Sequence, residues 1–381
     1  MIRARTYQNS SGTTIRKGNL TTVLQRVLDD SGEATRASIA RGTGLTSATV
    51  SSLVAELIET GYVEETGRTA SNGGKPATRL QVNADAHGIV VLVARPHLVR
   101  SAIVGLDGRV VSRSEHRAGG GLTPQRLVET AASSIAKARR NVLAIGVQAP
   151  GICGDGRVRE SVQLGWHDEE VQQPVASAAG VPAHLINDAD AEALAELIPS
   201  PSGDHLYLHL GQGVGAAIVH AGSLFQGTTG RAGEVGHLRV DDGGTPCRCG
   251  SSGCLEATAS MTAMLGDGFN DELSSRSVKR LAAADGATAR ITIGIRSLAR
   301  AIRMMCATLD ITDVVVGGAA SALGADFFTR LQHEIDEHQP RGTREIAVRS
   351  ATNRDPFLGP AQHALMAQLG VHWRHVDSLD G

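Results

Sequence analysis

Four potential metal ligands lie close together in the sequence, and their spacing constrains the chain more than any other feature. The four are His237, Cys247, Cys249 and Cys254, so that three thiols fall within eight residues. One imidazole and three thiolates complete a tetrahedral zinc site, and the glycines between the thiols allow the turns that such close ligands need. Because four protein ligands leave no coordination position for water, we expect a structural zinc ion. The alternatives are incidental thiols, or His209 or His220 as the fourth ligand.

Two acidic residues flank the predicted zinc site. Glu234 lies three residues before the first ligand, and Glu256 lies two residues after the last. A zinc ion would hold both carboxylates rigidly at one cleft, where two carboxylates and an amide can hydrogen-bond adjacent hydroxyls of a sugar. Asn187 and Asp188, at the end of a predicted strand, supply the amide and a third acid. The alternative role for Asp188 is the N-terminal cap of the following helix.

The length and composition of the chain limit its class. Its 381 residues are enough for two or three domains, and hydrophobic residues at 41% can form proper cores. The net charge of −2 excludes a uniformly basic nucleic-acid coat but allows a locally basic module. The chain has no run of the ~18 apolar residues that a membrane helix needs, and its basic start lacks the apolar segment of a secretory signal. We therefore expect a cytoplasmic protein, in which clustered cysteines bind metal rather than form disulfides.

The first 85 residues have the pattern of a winged helix-turn-helix. Segments 20–28 and 50–58 each place apolar residues at i, i+3, i+4, i+7 and i+8, which predicts two amphipathic helices. A short helix over 36–41 lies between them, and Thr46 can cap the last helix. The alternative is an ordinary three-helix bundle with a solvated hairpin.

Two predicted strands follow the third helix. Segments 62–65 and 78–83 predict a β-wing, whose cationic tip can enter a narrow minor groove of DNA. Small polar residues at the start of the third helix would let this helix enter the major groove and reach phosphates or base edges. The expected DNA-contacting residues are Ser47, Ala48, Thr49, Ser51 and Ser52 on the helix, and Lys75 and Pro76 on the wing.

From about residue 86 the pattern changes to alternating strands and helices, which predicts an α/β architecture. Buried strands are expected at 88–94, 101–108 and 142–147, with a helix over 122–139. Gly211 to Gly215 follows another predicted strand and matches a dinucleotide-binding fingerprint weakly, because alanine occupies position 216 and a strand follows. A tight β-turn is the alternative.

In their order along the chain, these motifs resemble the ROK family, which groups sugar kinases with sugar-responsive repressors. The matching segments are Ala149-Pro150-Gly151, Asn187-Asp188, Leu210 to Gly215, Gly222 to His237, the cysteine cluster with Glu256, and Val316-Gly317-Gly318. The resemblance implies a winged helix-turn-helix domain over 1–85 and a two-lobed, actin-like ROK domain over 86–381. One lobe would span about 86–186 with the C-terminal segment, and the other 187–350.

The resemblance also implies a sugar pocket. The expected sugar-binding residues are Gly151, Asn187, Asp188, Glu234, His237 and Glu256. His237 would bind zinc through one ring nitrogen and face the sugar through the other. In the family's kinases, the residue that matches Asp188 is the general base on the sugar hydroxyl, so Asp188 would be its vestige here.

The phosphate-binding turns of the family's kinases are not matched in this chain. Ala94 to Val99 replaces the Asp-x-Gly-Gly-Thr turn, with no acid and no glycine, and Pro96 removes a backbone donor. In the second turn, which reads Gly-Thr-Gly in the kinases, Gln212 replaces the hydroxyl. Phosphoryl transfer depends on positioning and charge stabilisation, so we expect no catalytic residue and no kinase activity.

These expectations combine into one function. The chain is expected to be a transcriptional repressor of carbohydrate-metabolism genes that binds operator DNA and a sugar or sugar phosphate effector. Because a helix-turn-helix reads one half-site, we expect a homodimer on a palindrome, while pairing into a tetramer stays open. The alternatives are an active ATP-dependent sugar kinase with an appended DNA-binding domain, and a protein-docking scaffold without a ligand.

Overall fold

The computed structural model describes residues 12–30, 32–68, 76–198, 203–228, 230–339, 342, 344–353 and 355–374. Contacts within the chain divide it into two compact units. Unit 1 draws on residues 1–147, 170–184 and 360–381, and unit 2 on residues 148–169 and 185–359. The domain boundary predicted at residue 85 falls inside unit 1, and the predicted domain and lobe limits stay predictions. Within the described ranges, no helix is both long enough and apolar enough to cross a membrane.

The front of unit 1 is a winged helix-turn-helix, as the apolar stripes predict. Its elements are α1 (Gly12–Asp29), β1 (Ala34–Thr35), α2 (Arg36–Thr43), α3 (Ser47–Glu59), β2 (Val63–Arg68) and β3 (Thr78–Val82). The strands form one sheet in the order β1-β3-β2, in which β2 and β3 are antiparallel. Val23 of α1, Ile39 of α2 and Leu53 of α3 are buried. Burial of each such aliphatic side chain stabilises the fold by about 1.5–3 kcal/mol.

Side-chain caps set where α2 and α3 begin. The Thr35 hydroxyl accepts a bond from the N–H of Ser38 at 3.1 Å, and the Ser38 hydroxyl accepts one from the N–H of Thr35 at 2.9 Å. These reciprocal bonds form a capping box. The Thr46 hydroxyl accepts a bond from the N–H of Thr49 at 3.1 Å, so the prediction that Thr46 caps α3 is confirmed. Gly61, just beyond α3, has a φ of +78°, a left-handed conformation that favours glycine.

A five-stranded sheet forms the rest of unit 1. The next elements in the chain are β4 (His87–Arg95), β5 (Leu98–Gly105), β6 (Val110–Arg117), α4 (Pro124–Lys137), β7 (Asn141–Gln148), β8 (Ile152–Gly154), β9 (Arg157–Ser161), β10 (Trp166–Glu170), α5 (Gln172–Ala179) and β11 (Ala183–Ile186). The sheet order is β11-β7-β4-β5-β6, and β4, β5 and β6 are antiparallel neighbours. Strand β5 begins at Leu98 rather than at residue 101, because Pro96 and His97 alone form the turn that joins it to β4.

Unit 2 is built around a second five-stranded sheet. The remaining elements are α6 (Asp188–Glu196), β12 (His205–Leu210), β13 (Val214–His220), β14 (Ser223–Leu224), α7 (Leu255–Ala259), α8 (Met261–Leu265), α9 (Ser275–Ala282), α10 (Ala287–Leu309), β15 (Asp313–Gly318), α11 (Ala325–Glu337), β16 (Ala347–Ser350) and α12 (Leu358–Leu369). The sheet order is β14-β13-β12-β15-β16, with β12, β15 and β16 parallel and β12, β13 and β14 antiparallel. Strands β8, β9 and β10 form a smaller sheet. The core of unit 2 includes Leu206 of β12, Val316 of β15 and Leu298 of α10.

Candidate functional site

The four predicted metal ligands come together in unit 2. One ligand atom from each of His237, Cys247, Cys249 and Cys254 lies within 4.8 Å of the others. The Sγ atoms of Cys249 and Cys254 are 3.7 Å apart. A tetrahedral zinc ion with Zn–S bonds of about 2.3 Å holds two sulfurs about 3.8 Å apart. The donor set and its spacing therefore fit a zinc ion, with His237 as the fourth ligand.

Local structure sets the positions of these ligands. His237 ends a short 3-10 helix, and Cys254 immediately precedes α7. Between them, the N–H of Cys247 donates to the carbonyl of Ser251 at 2.9 Å, and the N–H of Gly250 donates to the carbonyl of Cys247 at 3.0 Å. Gly250 has a φ of +86°, which glycine adopts without strain. This glycine closes the turn that brings the thiols together.

Two glycines bring Glu234 against strand β13. A Cβ atom at Gly233 would overlap the carbonyl oxygen of Ala216, and one at Gly236 would overlap that of Val214. The N–H of Ala216 also donates to the carbonyl of Gly233 at 2.9 Å. The backbone on both sides of Glu234 is thereby fixed to the sheet.

The acidic residues near the metal ligands interact with one another. Partial burial raises the pKa of Glu234, and the charges of Asp188 and Glu256 raise this pKa further. The charges of His237 and Arg231 oppose the rise. One carboxylate raises the pKa of another only when the two lie within about 10 Å of each other, because salt screens charges that are further apart. The structure therefore brings together Asp188, Glu234 and Glu256, three of the predicted sugar-binding residues.

Asn187 and Asp188 lie at the N-terminus of α6. The Asn187 side chain accepts a bond from the N–H of Asp190 at 2.7 Å, so Asn187 is the N-terminal cap and the alternative of an Asp188 cap is wrong. The Asp188 carboxylate accepts a bond from the N–H of Ala189 at 3.0 Å. Burial, together with the charges of Asp188 and Glu234, raises the pKa of Asp190 to about 7. Asp190 is thus a further acid of this cluster. The sequence analysis did not identify it, because it belongs to none of the recognised motifs.

Gly151 occupies a position that only glycine can fill. Its φ is +105°, and a Cβ atom there would overlap the carbonyl oxygen of Glu160. Two residues earlier, the N–H of Ala149 donates to the carbonyl of Ile186 at 3.1 Å. Because Ile186 directly precedes Asn187, this bond places the segments of Gly151 and Asn187 side by side.

Glu256 is held from two sides. One carboxylate oxygen accepts a bond from the N–H of Val214, and the other accepts a bond from the Arg248 guanidinium, both at 3.2 Å. The same guanidinium donates to the carbonyl of Gln212 at 3.2 Å. Arg248 lies between two of the candidate metal-ligating thiols in the sequence, so these bonds connect the candidate metal site to the cluster of acids. Sequence reasoning did not single it out.

The segment that begins at Gly211 is a β-hairpin turn, so the alternative of a tight turn is confirmed and a dinucleotide fingerprint is wrong. It joins the antiparallel strands β12 and β13, and the N–H of Gly211 donates to the carbonyl of Gly213 at 3.0 Å. The fingerprint requires a helix after the glycines, and a strand follows here. The N–H of Gln212 donates to the Asp271 carboxylate at 2.9 Å. Asp271 lies 59 residues downstream, so no local pattern reveals this partner.

A largely buried histidine lies behind this turn. The Nδ1 atom of His209 is 2.7 Å from the Glu192 carboxylate. Burial opposes the charged form of His209, but the charges of Glu192 and Asp188 outweigh it and raise the pKa of His209 to about 10. His220 is likewise bonded to an acid, Asp204, at 2.8 Å. In the part of the chain that the structure describes, neither alternative histidine belongs to the metal cluster.

The predicted DNA-contacting face lies on α3 in unit 1. Its exposed members are Ser47, Ala48, Ser51 and Ser52. Thr49 is half-buried, and its hydroxyl is 2.8 Å from that of Thr46. Pro76 of the wing is exposed, whereas Lys75 lies outside the described residues. The exposed residues in the first half of α3 carry no acid, so this part of the helix does not repel DNA phosphates. The exposed acid of the helix, Glu59, lies at its C-terminal end.

Family profiles match both parts of the chain. The ROK family profile matches residues 97–366, and that of the IclR helix-turn-helix domain matches residues 19–67. A protein described as a putative xylose repressor, from Caldicellulosiruptor sp. (strain Rt8B.4), is 32% identical over 263 residues. This match covers 66% of the present chain and 66% of the relative, just under two thirds of the relative's length.

Solved structures share the fold. A ROK family transcriptional regulator, described as a homologue of the E. coli MLC protein, has a TM-score of 0.76 at 24% identity, over 93% of this chain and 96% of that one. A ROK hexokinase from Thermus thermophilus has a TM-score of 0.61 at 26% identity, over 72% of this chain and 96% of that one. The first likeness, at this identity, concerns the fold alone. Because the ROK profile matches well over half of the residues, the chain belongs to the ROK family.

Proposed function

We propose that this ROK family protein is a sugar-responsive transcriptional repressor of carbohydrate-metabolism genes. One observation carries the proposal: a winged helix whose exposed residues in the first half of α3 carry no acid shares its chain with a carboxylate cluster beside a candidate metal site. The first can bind DNA, and the second can bind hydroxyl groups. The similarity to a putative xylose repressor supports this combination.

The proposed DNA-binding element is α3 with the wing. The hydroxyls of Ser47, Ser51 and Ser52 would donate to phosphates or base edges from the major groove, and Ala48 would allow close approach. Lys75 and Pro76 at the wing tip would enter the minor groove. Because one winged helix reads one half-site, a homodimer would bind a palindrome in the cytoplasm, and a tetramer would pair two such dimers.

The proposed effector site is the carboxylate cluster of unit 2. Its residues would be Gly151, Asn187, Asp188, Glu234, His237 and Glu256. The three carboxylates would accept bonds from sugar hydroxyls, and Gly151 would contribute its backbone N–H and carbonyl. With zinc bound to one ring nitrogen, His237 presents its other nitrogen to the sugar. The zinc ion is structural in this proposal, because four protein ligands complete its coordination.

We infer a binding role rather than catalysis, and the first of the two turns that would hold phosphates in a kinase supports this inference. At the first, the carbonyls of Pro96 and His97 accept bonds from the N–H groups of Leu122 and Ala118 at 2.9 and 2.8 Å. No glycine or acid is present in this turn to hold a nucleotide. Without a bound nucleotide to supply a phosphoryl group, Asp188 would bind the sugar but would not act as a catalytic base. The similarity to a ROK hexokinase favours the kinase alternative, and sugar-dependent ATP consumption separates the two.

The proposal is tested by selecting operator DNA without assuming where the operator lies. The full chain is incubated with random-sequence duplexes, and bound DNA is recovered and sequenced over successive rounds. We expect a palindrome with half-sites about 10 base pairs apart or a multiple of this, bound in a strongly salt-dependent way. In parallel, no sugar should stimulate ATP consumption. Enrichment of no sequence, or sugar-dependent ATP consumption, would contradict the proposal.

A further inference from the structure

The hairpin turn between β12 and β13 has the features of an anion-binding site. The backbone N–H of Gln212 points out of the turn, and the His209 ring lies directly beneath it: a Cβ atom on Gly211 would lie 2.9 Å from Nε2 of His209. The raised pKa of His209 keeps this imidazole cationic at neutral pH. A backbone N–H next to a fixed positive charge attracts an anion.

The structure supplies that anion from the chain itself. One oxygen of the Asp271 carboxylate accepts the Gln212 N–H at 2.9 Å, and the same oxygen would lie 2.6 Å from a Cβ atom on Gly211. The other oxygen accepts a bond from the Gln163 side-chain amide at 2.9 Å, which fixes the carboxylate plane. The carboxylate therefore rests directly on the turn, where an incoming anion would have to bind.

Two further polar groups at the turn are also engaged. The N–H of Val214 donates to Glu256, and the carbonyl of Gln212 accepts from Arg248. Arg248 donates in addition to Glu256, so its charge is already balanced. An anion that bonded to the N–H of Gln212 or of Val214 would have to displace a carboxylate.

The charges around the turn also disfavour a phosphate. The acids that act on this region are Asp188, Asp190, Glu234, Glu256 and Asp271, and the cations are His209, Arg231 and Arg248. Of these cations, His209 is paired with Glu192 and Arg248 with Glu256. A phosphate ester brings about two further negative charges, which these carboxylates would repel. A neutral sugar carries no charge to be repelled, and its hydroxyls can donate hydrogen bonds to the carboxylates.

We propose that Asp271 is the resident anion of the Gly211–Gly213 turn and a specificity-determining residue that excludes phosphate groups, so that the effector is an unphosphorylated sugar. This inference rests on the proposed function, since it chooses between the two effector classes that a sugar-responsive repressor could use. Asp271 does not touch the sugar hydroxyls in this proposal. It acts by occupying the place of a phosphate.

The test measures discrimination between a sugar and its phosphate ester. D-xylose, D-glucose and N-acetyl-D-glucosamine, each with its terminal phosphate ester, are titrated calorimetrically into the full-length wild-type protein. At least one sugar should bind, with its ester at least about tenfold weaker, which is 1.4 kcal/mol. In Asp271→Asn, which removes the charge and keeps the shape, the ratio of the two affinities should shrink at least about fivefold, or 1 kcal/mol. Asp271→Ala, which also exposes the Gln212 N–H, should bind inorganic phosphate that the wild type does not bind.

The matched control is Glu272→Gln, which removes the charge of the exposed neighbouring residue and should leave the ratio unchanged. An ester that binds the wild type as well as or better than its sugar would overturn the inference and leave the proposed function standing. Equal changes of the ratio in Asp271→Asn and Glu272→Gln would also overturn it, because only general charge would then matter. If none of the six ligands binds while the protein is folded, sugar sensing itself fails, and the inference fails with it.

Discussion

The proposed DNA-binding face of α3 and the carboxylate cluster of unit 2 differ in how much they destabilise the folded state. The exposed side chains in the first half of α3, from Ser47 to Ser52, are small and uncharged, so folding removes no charge of theirs from water. In unit 2, burial raises the pKa of Asp190 and of Glu234, and repulsion among Asp188, Asp190 and Glu234 raises these pKa values further. Like charges brought together destabilise a folded state unless other interactions hold them in place.

The difference shows where each unit derives its rigidity. Two capped helices and a wing with an apolar core are enough to present α3. The acid cluster requires more, namely the metal ligands that lie between Glu234 and Glu256 in the sequence and the glycine contacts that fix Glu234 to β13. Substitutions in the two regions should therefore have different effects. Those on α3 should change DNA binding alone, and those in unit 2 should change stability as well.

The largest effect is expected from loss of zinc. Cys249→Ser removes one of the three thiolates, and because a structural zinc site contributes folding free energy, unit 2 should lose about 5 kcal/mol. The melting temperature should fall by about 10–20 °C, and zinc content, measured by atomic absorption, should drop from one equivalent towards none. Cys306→Ala is the control, because this buried thiol lies in α10 outside the cluster. Unchanged zinc content and melting in Cys249→Ser would show that the cluster does not stabilise unit 2.

A smaller stability effect, of opposite sign, is expected at Asp190. An aspartate ordinarily has a pKa of 3.8, and that of Asp190 in the folded protein is about 7. Between these two values the folded state binds the proton more tightly, so stability falls as the pH rises and levels off above about pH 7. Asp190→Asn cannot ionise and should remove this fall, with a gain of at most about 4 kcal/mol at pH 8 and little change at pH 4.

Melting temperatures of wild type and Asp190→Asn between pH 4 and pH 8 check this expectation. Asp267→Asn, a change of an exposed residue of unit 2, serves as the control and should follow the wild-type profile. If Asp190→Asn is less stable than the wild type at pH 8, the charge of Asp190 stabilises the fold. This result would contradict the view that the acid cluster destabilises unit 2.

The smallest stability effect is expected on α3. Ser51→Glu places a carboxylate on the exposed face and should weaken binding to the selected operator at least about tenfold through repulsion by phosphates, 1.4 kcal/mol or more. Because the position is exposed, stability should change by no more than about 0.5 kcal/mol. Ser51→Ala, which removes the hydroxyl without adding charge, should lie between Ser51→Glu and wild type. Fluorescence anisotropy and a melting curve on the same samples give both numbers, and a folded Ser51→Glu protein with wild-type operator affinity would contradict the assignment.

The front of the chain was predictable from the sequence because its determinants are local. The apolar stripes that predict α1 and α3 are the ones that the structure buries, and Thr46 caps α3 as predicted. The same holds for the metal cluster, whose three thiols lie within eight residues. Elements whose contacts are between residues close in the sequence can be recognised from local periodicity and spacing.

The remainder of unit 2 was predictable only in part, because its contacts join distant segments. The cap of α6 is Asn187 rather than Asp188. The sequence cannot distinguish the two, because asparagine and aspartate are equally common N-terminal caps. The pairing of His209 with Glu192 spans 17 residues, and that of Gln212 with Asp271 spans 59. The sequence grouped Asp188 with Glu234 and Glu256 because Asp188 follows a predicted strand, and the family resemblance gave the same grouping; no local spacing links Asp188 with Glu256.

The most direct test asks whether the acid cluster of unit 2 controls DNA binding by unit 1. The affinity of full-length wild type and of Glu234→Gln for the selected operator is measured by fluorescence anisotropy over a titration of the sugar that binds the wild type. The wild-type affinity should change at least about tenfold, a coupling of 1.4 kcal/mol or more, while Glu234→Gln should bind the operator normally and respond at least about tenfold more weakly to the sugar. An equal response of the two proteins, or an operator affinity that the bound sugar leaves unchanged in the wild type, would contradict the proposed repressor.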